Sequence, residues 1–192
     1  MQITRNHVEW AVVHRWRELL DDPPDAEFDV TLQFALFSSI ICWTTQRMRD
    51  PQDGPAPRVW SDLKRIKFAD TVAAIGSKAR PALPAAFANL NTADAIIRLR
   101  DIMAHGDARN VLPINGVPNR RGEVQLLGFR FTWSSPEAIF DLDGVMMRSL
   151  GIAIADKFCG AFGHGQSGSA DGHFVQEARK GVLLSNRQAR AS

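Results

Sequence analysis

"NTADAIIRLRDIMAHG", residues 91–106, reads as a helix with one residue out of place. Ile96, Leu99 and Met103 recur at helical spacing, Thr92 is the expected cap, and Gly106 the expected stop. At about 100° per residue, Asp94, Arg98, Asp101 and His105 fall within about 60° of one another. That stripe has the form of a solvated, ion-paired face, and the helix dipole favours His105 near the C-terminus. Arg100 does not belong to it. It lies about 40° from Ile96, inside the arc that also holds Ile97, Leu99 and Met103. A guanidinium on an apolar arc must snorkel, pair, or line a cleft or interface. Local violations of patterning tend to mark function, so this helix is the candidate site.

Working outward, the periodicity predicts a mainly α domain. "TRNHVEWAVVHRWRELLDD" (4–22) gives a first helix, capped by Thr4, with Val8, Ala11, Val12, Trp16 and Leu19 on one face. The prolines of "DDPPD" end it. A second helix runs from about Ala26 to Arg49 and is apolar nearly all round, which predicts the central position. "DPQDGPAPR" (50–58) is a loop by composition. Ser61 is the expected cap of a third helix, "DLKRIKFADTVAAIGSKAR" (62–80), and "PALP" breaks it. After the 91–106 helix come "VLPIN" and "EVQLLGFRFTW", joined by "GVPNRRG". They read as a hairpin over about 111–133, with Phe129, Phe131 and Trp133 on one face. A last helix is expected from Ser135-Pro136 to about Phe162, interrupted at Gly144. The expectation is a bundle of about four to five helices over 1–162 with a small β-hairpin insertion, then a disordered Gly- and Ser-rich tail over 163–192.

With 192 residues the chain suits one core, and its net charge of +2 leaves no bulk electrostatic footprint, so a nucleic-acid partner would need a local patch. Cys42 and Cys159 lack metal-ligand spacing and read as free thiols of a reducing compartment. "MQITRNHVEW" has no signal-peptide core, and "FALFSSIICW" (34–43) is about half the length of a membrane helix. The expected location is cytoplasmic, with no membrane partner.

Two motifs compete for attention. "AIFDLDGVM" (138–146) is similar to the first motif of haloacid dehalogenase-type phosphatases, which would make Asp141 the nucleophile and Asp143 the acid/base. That chemistry needs a buried parallel strand and later Ser/Thr, Lys and carboxylate residues, for which little chain remains. It stays a remote alternative to a loop entering a helix with Asp141 or Asp143 as cap. "GHGQSG" (163–168) matches G-x-G-x-x-G but lacks the preceding strand. His164 and His173 lie in the tail. His7 and His14 share a helical face with Glu18, and an ordinary solvated or half-buried role outweighs a metal pair.

"RDIMAH", Arg100 to His105, resembles the R-x4-H signature of the HEPN superfamily. The continuation "AHGDARNVLPIN" and the later "LLGFRF" resemble a plasmid- and bacterial-genome-borne subgroup with strands after the motif helix. Residues 98–131 carry the detailed likeness, and the layout of 1–162 the general one. The resemblance implies a helical bundle that homodimerises, bringing two motifs together as one metal-independent, cofactor-free ribonuclease site. The residue types suit that chemistry. RNA supplies its own 2′-hydroxyl nucleophile, and a histidine with pKa near about 6.5 moves protons at neutral pH. An arginine can grip the scissile phosphate by a two-pronged contact and stabilise developing charge. Asp101, one turn before His105, is a candidate to fix the imidazole tautomer. Whether His105 is acid, base or phosphate ligand stays open. Arg98, Arg109, Arg120 and Arg121 are candidate RNA contacts, with Asp107 and Arg130 nearby. Arg100 and His105 are about 140° apart on an ideal helix, so sharing a site requires an unwound last turn or a partner subunit. The functional expectations are a toxin or defence ribonuclease with an antitoxin protein as partner, and alternatively a non-catalytic HEPN module binding RNA, a nucleotide or a protein.

Overall fold

The computed structural model describes residues 5–22, 29–50, 56–75, 83–105, 109–134 and 137–162. The expected Thr4 cap, the Gly106 stop, Asp107, the His7 side chain and the whole 163–192 tail lie outside the described residues. The described chain is mainly helical with a small three-stranded antiparallel sheet.

Helices α1 (Arg5–Asp21) and α2 (Asp29–Arg49) match the first two expected segments closely. α2 is central: it packs on α1, on α3 (Ala56–Leu63), on α6 (Thr92–Ala104), on α7 (Gly144–Ala161) and on the sheet. Its buried residues Leu36, Phe37, Ile40, Ile41 and Met48 explain why its apolar pattern closes around the helix. α7 reaches α1 and α2 at unusually short range through Gly151. A Cβ there would stand 2.6 Å from Leu20 Cδ2 and 3.4 Å from Phe37 Cδ2, so only glycine lets the backbones approach this closely.

The expected third helix over 62–80 is instead two pieces, α3 and α4 (Phe68–Ala74). Tertiary pairing overrides propensity here. Lys67 is extended and bridges Asn91, while Phe68 N–H donates to Leu90 O at 2.9 Å and Thr92 N–H to Ile66 O at 2.7 Å. The kink also turns Phe68 fully inward. Ser61 therefore caps nothing; it lies inside α3 with its hydroxyl on Pro57 O at 3.3 Å. A short helix, α5 (Ala85–Ala88), follows the prolines and delivers Phe87 to the core.

The hairpin is present as β1 (Val111–Asn115) and β2 (Leu126–Ser134). The last helix, however, does not begin at Ser135-Pro136. Residues Glu137–Asp143 form β3, antiparallel to β2, and α7 starts at Gly144. The physical reason is a period of two: Ala138, Phe140 and Leu142 are buried opposite Trp133, Phe131 and Phe129, while Ile139 and Asp141 face outward. Asp143 then caps α7, its carboxylate accepting from Met146 N–H at 2.7 Å. Gly128, opposite Asp143, leaves no room for a Cβ against the Leu142 carbonyl. An aromatic cluster joins sheet to helices: Phe34 meets Phe129 at 4.2 Å, and Phe87 meets Trp133 at 5.0 Å and Phe140 at 5.1 Å between ring centroids. Among the described residues no helix is long and apolar enough to cross a membrane.

Candidate functional site

Helix α6 is held rigidly at its N-terminus. The cap is Asn91, one residue before the expected Thr92: its Oδ1 accepts from Asp94 N–H at 2.8 Å and its Nδ2 donates to Asp94 Oδ2 at 2.8 Å. Thr92 is buried and has a different task. Its hydroxyl lies 2.7 Å from the Thr71 hydroxyl and donates to Ile66 O at 3.1 Å, tying α6 to α4 and the kink before it. From that anchor the helix runs outward to the motif.

Arg100 satisfies the requirement its position imposes. It is 27% exposed, and Nη1 lies 2.5 Å from Oδ1 of Asp101. The α6–α2 seam brings both charges against Cys42. Burial pushes the Cys42 thiol up from its ordinary value, a hydrogen bond with Ser38 and the Arg100 charge oppose the rise, and Asp101 adds to it. Ser38 and Cys42 are parts of this surface that the sequence reading did not single out. The only signal for them was that α2 is apolar all round except at such small polar positions.

His105 is exposed and forms the C-terminal cap position of α6, its N–H donating to Asp101 O at 3.0 Å. The last turn therefore stays wound, and the two motif side chains remain about 140° apart around the axis. The link between Asp101 and His105 is through the backbone; the Asp101 carboxylate lies on Arg100, and among the described residues the imidazole has no hydrogen-bond partner. In one chain the motif's cation and its imidazole look out in different directions.

The expected ion-paired stripe does not form. Asp94 is taken by Asn91 and Asp101 by Arg100. Arg98 is half-buried, its guanidinium carbon 5.9 Å from the centroid of Phe87. Its Nη1 is shut off from solvent and donates to nothing. Arg109 is exposed, and its carbonyl accepts from the Thr132 hydroxyl at 3.4 Å. Arg120 and Arg121 are exposed on the β1–β2 connection, away from α6 in the chain. Asn119 organises that turn, accepting from Arg121 N–H at 2.8 Å and Glu123 N–H at 3.0 Å, with Gly122 at φ 80°.

The other candidates have structural partners. Arg130 grips Asp141 with Nε and Nη2, both at 2.8 Å, across the β2–β3 register. The Arg130 guanidinium holds the Asp141 carboxyl below its ordinary range by that hydrogen bonding, and burial opposes the effect. Asp143 caps α7. The phosphatase-like motif is thus an antiparallel strand entering a helix, where a loop was expected, and its sheet lacks the parallel strands that such chemistry needs. His14 lies 3.7 Å from Glu18 and stacks 4.5 Å from Trp10. Cys42 is half-buried and Cys159 buried; burial pushes the Cys159 thiol up to about 12. Among the described residues no three His, Cys, Asp or Glu side chains gather as a metal site. No family model, curated protein or solved structure matches the chain.

Proposed function

We propose that the chain is a metal-independent endoribonuclease of the HEPN type, working as a homodimer in a toxin or defence setting. The observation that carries this reading is the split display on α6: a half-buried Arg100 seated in the α2–α6 seam, and an exposed His105 at the wound end of the same helix. One chain separates the two groups, whereas a two-fold axis near the end of α6 would set each His105 beside the other subunit's arginine. The 2′-hydroxyl would attack the adjacent phosphorus as a proton leaves it, and the 5′-oxygen would depart with a proton gained. Arg100 would stabilise the charge on the non-bridging oxygens, and His105 would serve in proton transfer or phosphate contact. The products are a 2′,3′-cyclic phosphate and a 5′-hydroxyl.

A second reading has one observation in its favour. Asp101 already neutralises Arg100 at 2.5 Å, as suits a module that binds RNA, a nucleotide or a protein without cleaving it. The two readings part in one experiment: cleavage of an RNA panel in EDTA by the purified protein and by His105→Ala. The ribonuclease reading expects cyclic-phosphate ends from the wild type and a loss of about 100-fold or more in the variant. Wild-type RNA binding with no cleavage would select the binding module, and equal cleavage by both proteins would remove His105 from the mechanism.

A further inference from the structure

Within a single chain, the arginine on the His105 side of α6 is Arg98 and not Arg100. On an ideal helix Arg98 and His105 lie within about 20° of one another and about 10 Å apart along the axis. Arg98 is also the group with unmet chemistry. Its Nη1 is sealed from water with no acceptor, and its one recorded contact is the face of Phe87. Withholding an acceptor from a cationic N–H donor is costly, so a ligand that brings an anionic oxygen to this guanidinium gains more than it would at a solvated arginine.

Phe87 connects this arginine to a second group. Its other aromatic neighbours include Trp133, whose ring centroid lies 5.0 Å away at an interplanar angle of 62°. Trp133 is half-buried near the end of β2. The chain that leaves α6 returns beside it: Thr132 N–H donates to Asn110 O at 3.0 Å, and the Thr132 hydroxyl to Arg109 O at 3.4 Å. Strand β2 thus brings an indole to the region where the motif helix ends.

We propose that Arg98 and Trp133, on either side of Phe87, form a nucleotide subsite beside His105. Arg98 holds a backbone phosphate by its guanidinium fork, and Trp133 stacks an unpaired base. The inference rests on RNA being the ligand of the α6 site. It adds the substrate class, single-stranded RNA, because a base is free to stack on a side chain only when it is unpaired. The sequence places Arg98 on the motif helix but gives no reason to join it to Trp133; Phe87, on a short helix after two prolines, makes the connection.

The test is fluorescence anisotropy with a 2′-O-methylated single-stranded oligonucleotide, which cannot be cleaved, across a salt series. Trp133→Leu should weaken binding by about tenfold with an unchanged salt slope, and Trp133→Phe should recover most of it. Arg98→Gln should weaken binding and lower the slope of log affinity against log salt by about 0.7, the loss of one phosphate contact on a single strand. Arg98→Lys should keep the slope and lose part of the affinity. If Trp133→Leu melts below the assay temperature, the slope of Arg98→Gln decides. Wild-type binding with unchanged affinities and slopes in the variants overturns the subsite and leaves the RNA reading standing. No binding by the wild type overturns both.

Discussion

The sheet and the motif helix each carry an arginine bound to an aspartate, and the two pairs are built differently. On the sheet, Arg130 and Asp141 sit directly opposite in the β2–β3 register, and Nε and Nη2 both reach the carboxylate at 2.8 Å. The fork is filled, both side chains are about half exposed, and the pair fixes register. On α6, Arg100 and Asp101 are consecutive residues, which do not face each other on a helix, and a single Nη1 makes the contact. The rest of that guanidinium keeps its N–H donors for another oxygen. The same two residue types thus make a closed clamp in one place and a half-open one in the other. Only the half-open one can accept a phosphate without first losing its partner.

The largest expected effect breaks the comparison at Arg100. Arg100→Ala should lower RNA cleavage by about 100-fold or more, as expected when a transition-state charge ligand is removed. Arg100→Lys should recover little, because an ammonium cannot contact a carboxylate and a phosphate with the same planar fork. Arg130→Lys should leave cleavage unchanged. Single-turnover rates for the three variants, with melting temperatures measured beside them, separate loss of chemistry from loss of fold. A lysine at position 100 that restores the rate would remove the half-open fork from the mechanism.

A smaller effect distinguishes the anchored end of α6 from its working end. Thr92→Val keeps shape but deletes the hydroxyl that meets Thr71 and Ile66 O, leaving the Thr71 hydroxyl and the Ile66 carbonyl without that partner. The expected cost is about 1–3 kcal/mol in urea unfolding. Cleavage by the folded fraction should stay near wild type, because the group touches no motif residue. A large fall in rate with little loss of stability would mean that the site depends on the kink before α4 more directly than through the anchor.

The sequence made the long elements legible because their apolar periods are long: α1, α2 and α6 each repeat over several turns. Strand β3 was hidden by its own neighbours. Its alternation of Ala138, Phe140 and Leu142 spans only a few residues and runs directly into the apolar face of α7, so a short period of two was read as the start of a long period of 3.6. The break between α3 and α4 could not be read at all, since it is imposed by Leu90–Thr92, distant in sequence. At the site, the misfit of Arg100 on the helical wheel was readable from spacing, and the pairing with Asp101 answers it. The position of Arg98 over Phe87 was not readable, because no local pattern connects α5 to α6.

The smallest expected effect probes the closed clamp. Asp141 has its folded-state pKa lowered by the Arg130 hydrogen bond, so it favours folding when ionised. That contribution is fully present above the ordinary carboxyl value of about 3.9 and is lost as pH falls through the lowered native value. Asp141→Asn should therefore be slightly less stable than the wild type at neutral pH. The gap should hold down to about pH 5 and close as the medium becomes more acidic, where the wild-type carboxyl also becomes neutral. Both partners are well exposed, so solvent screens the pair and the gap should be small beside that of Thr92→Val. Melting curves of both proteins from neutral to strongly acidic pH measure it, and a gap that widens on acidification would reverse the assigned sign. The same variant should cleave RNA at the wild-type rate. If it instead abolished a Mg²⁺-dependent hydrolysis of a small phosphate ester, the clamp would be a nucleophile held in check by Arg130, and the sheet, not α6, would carry the chemistry.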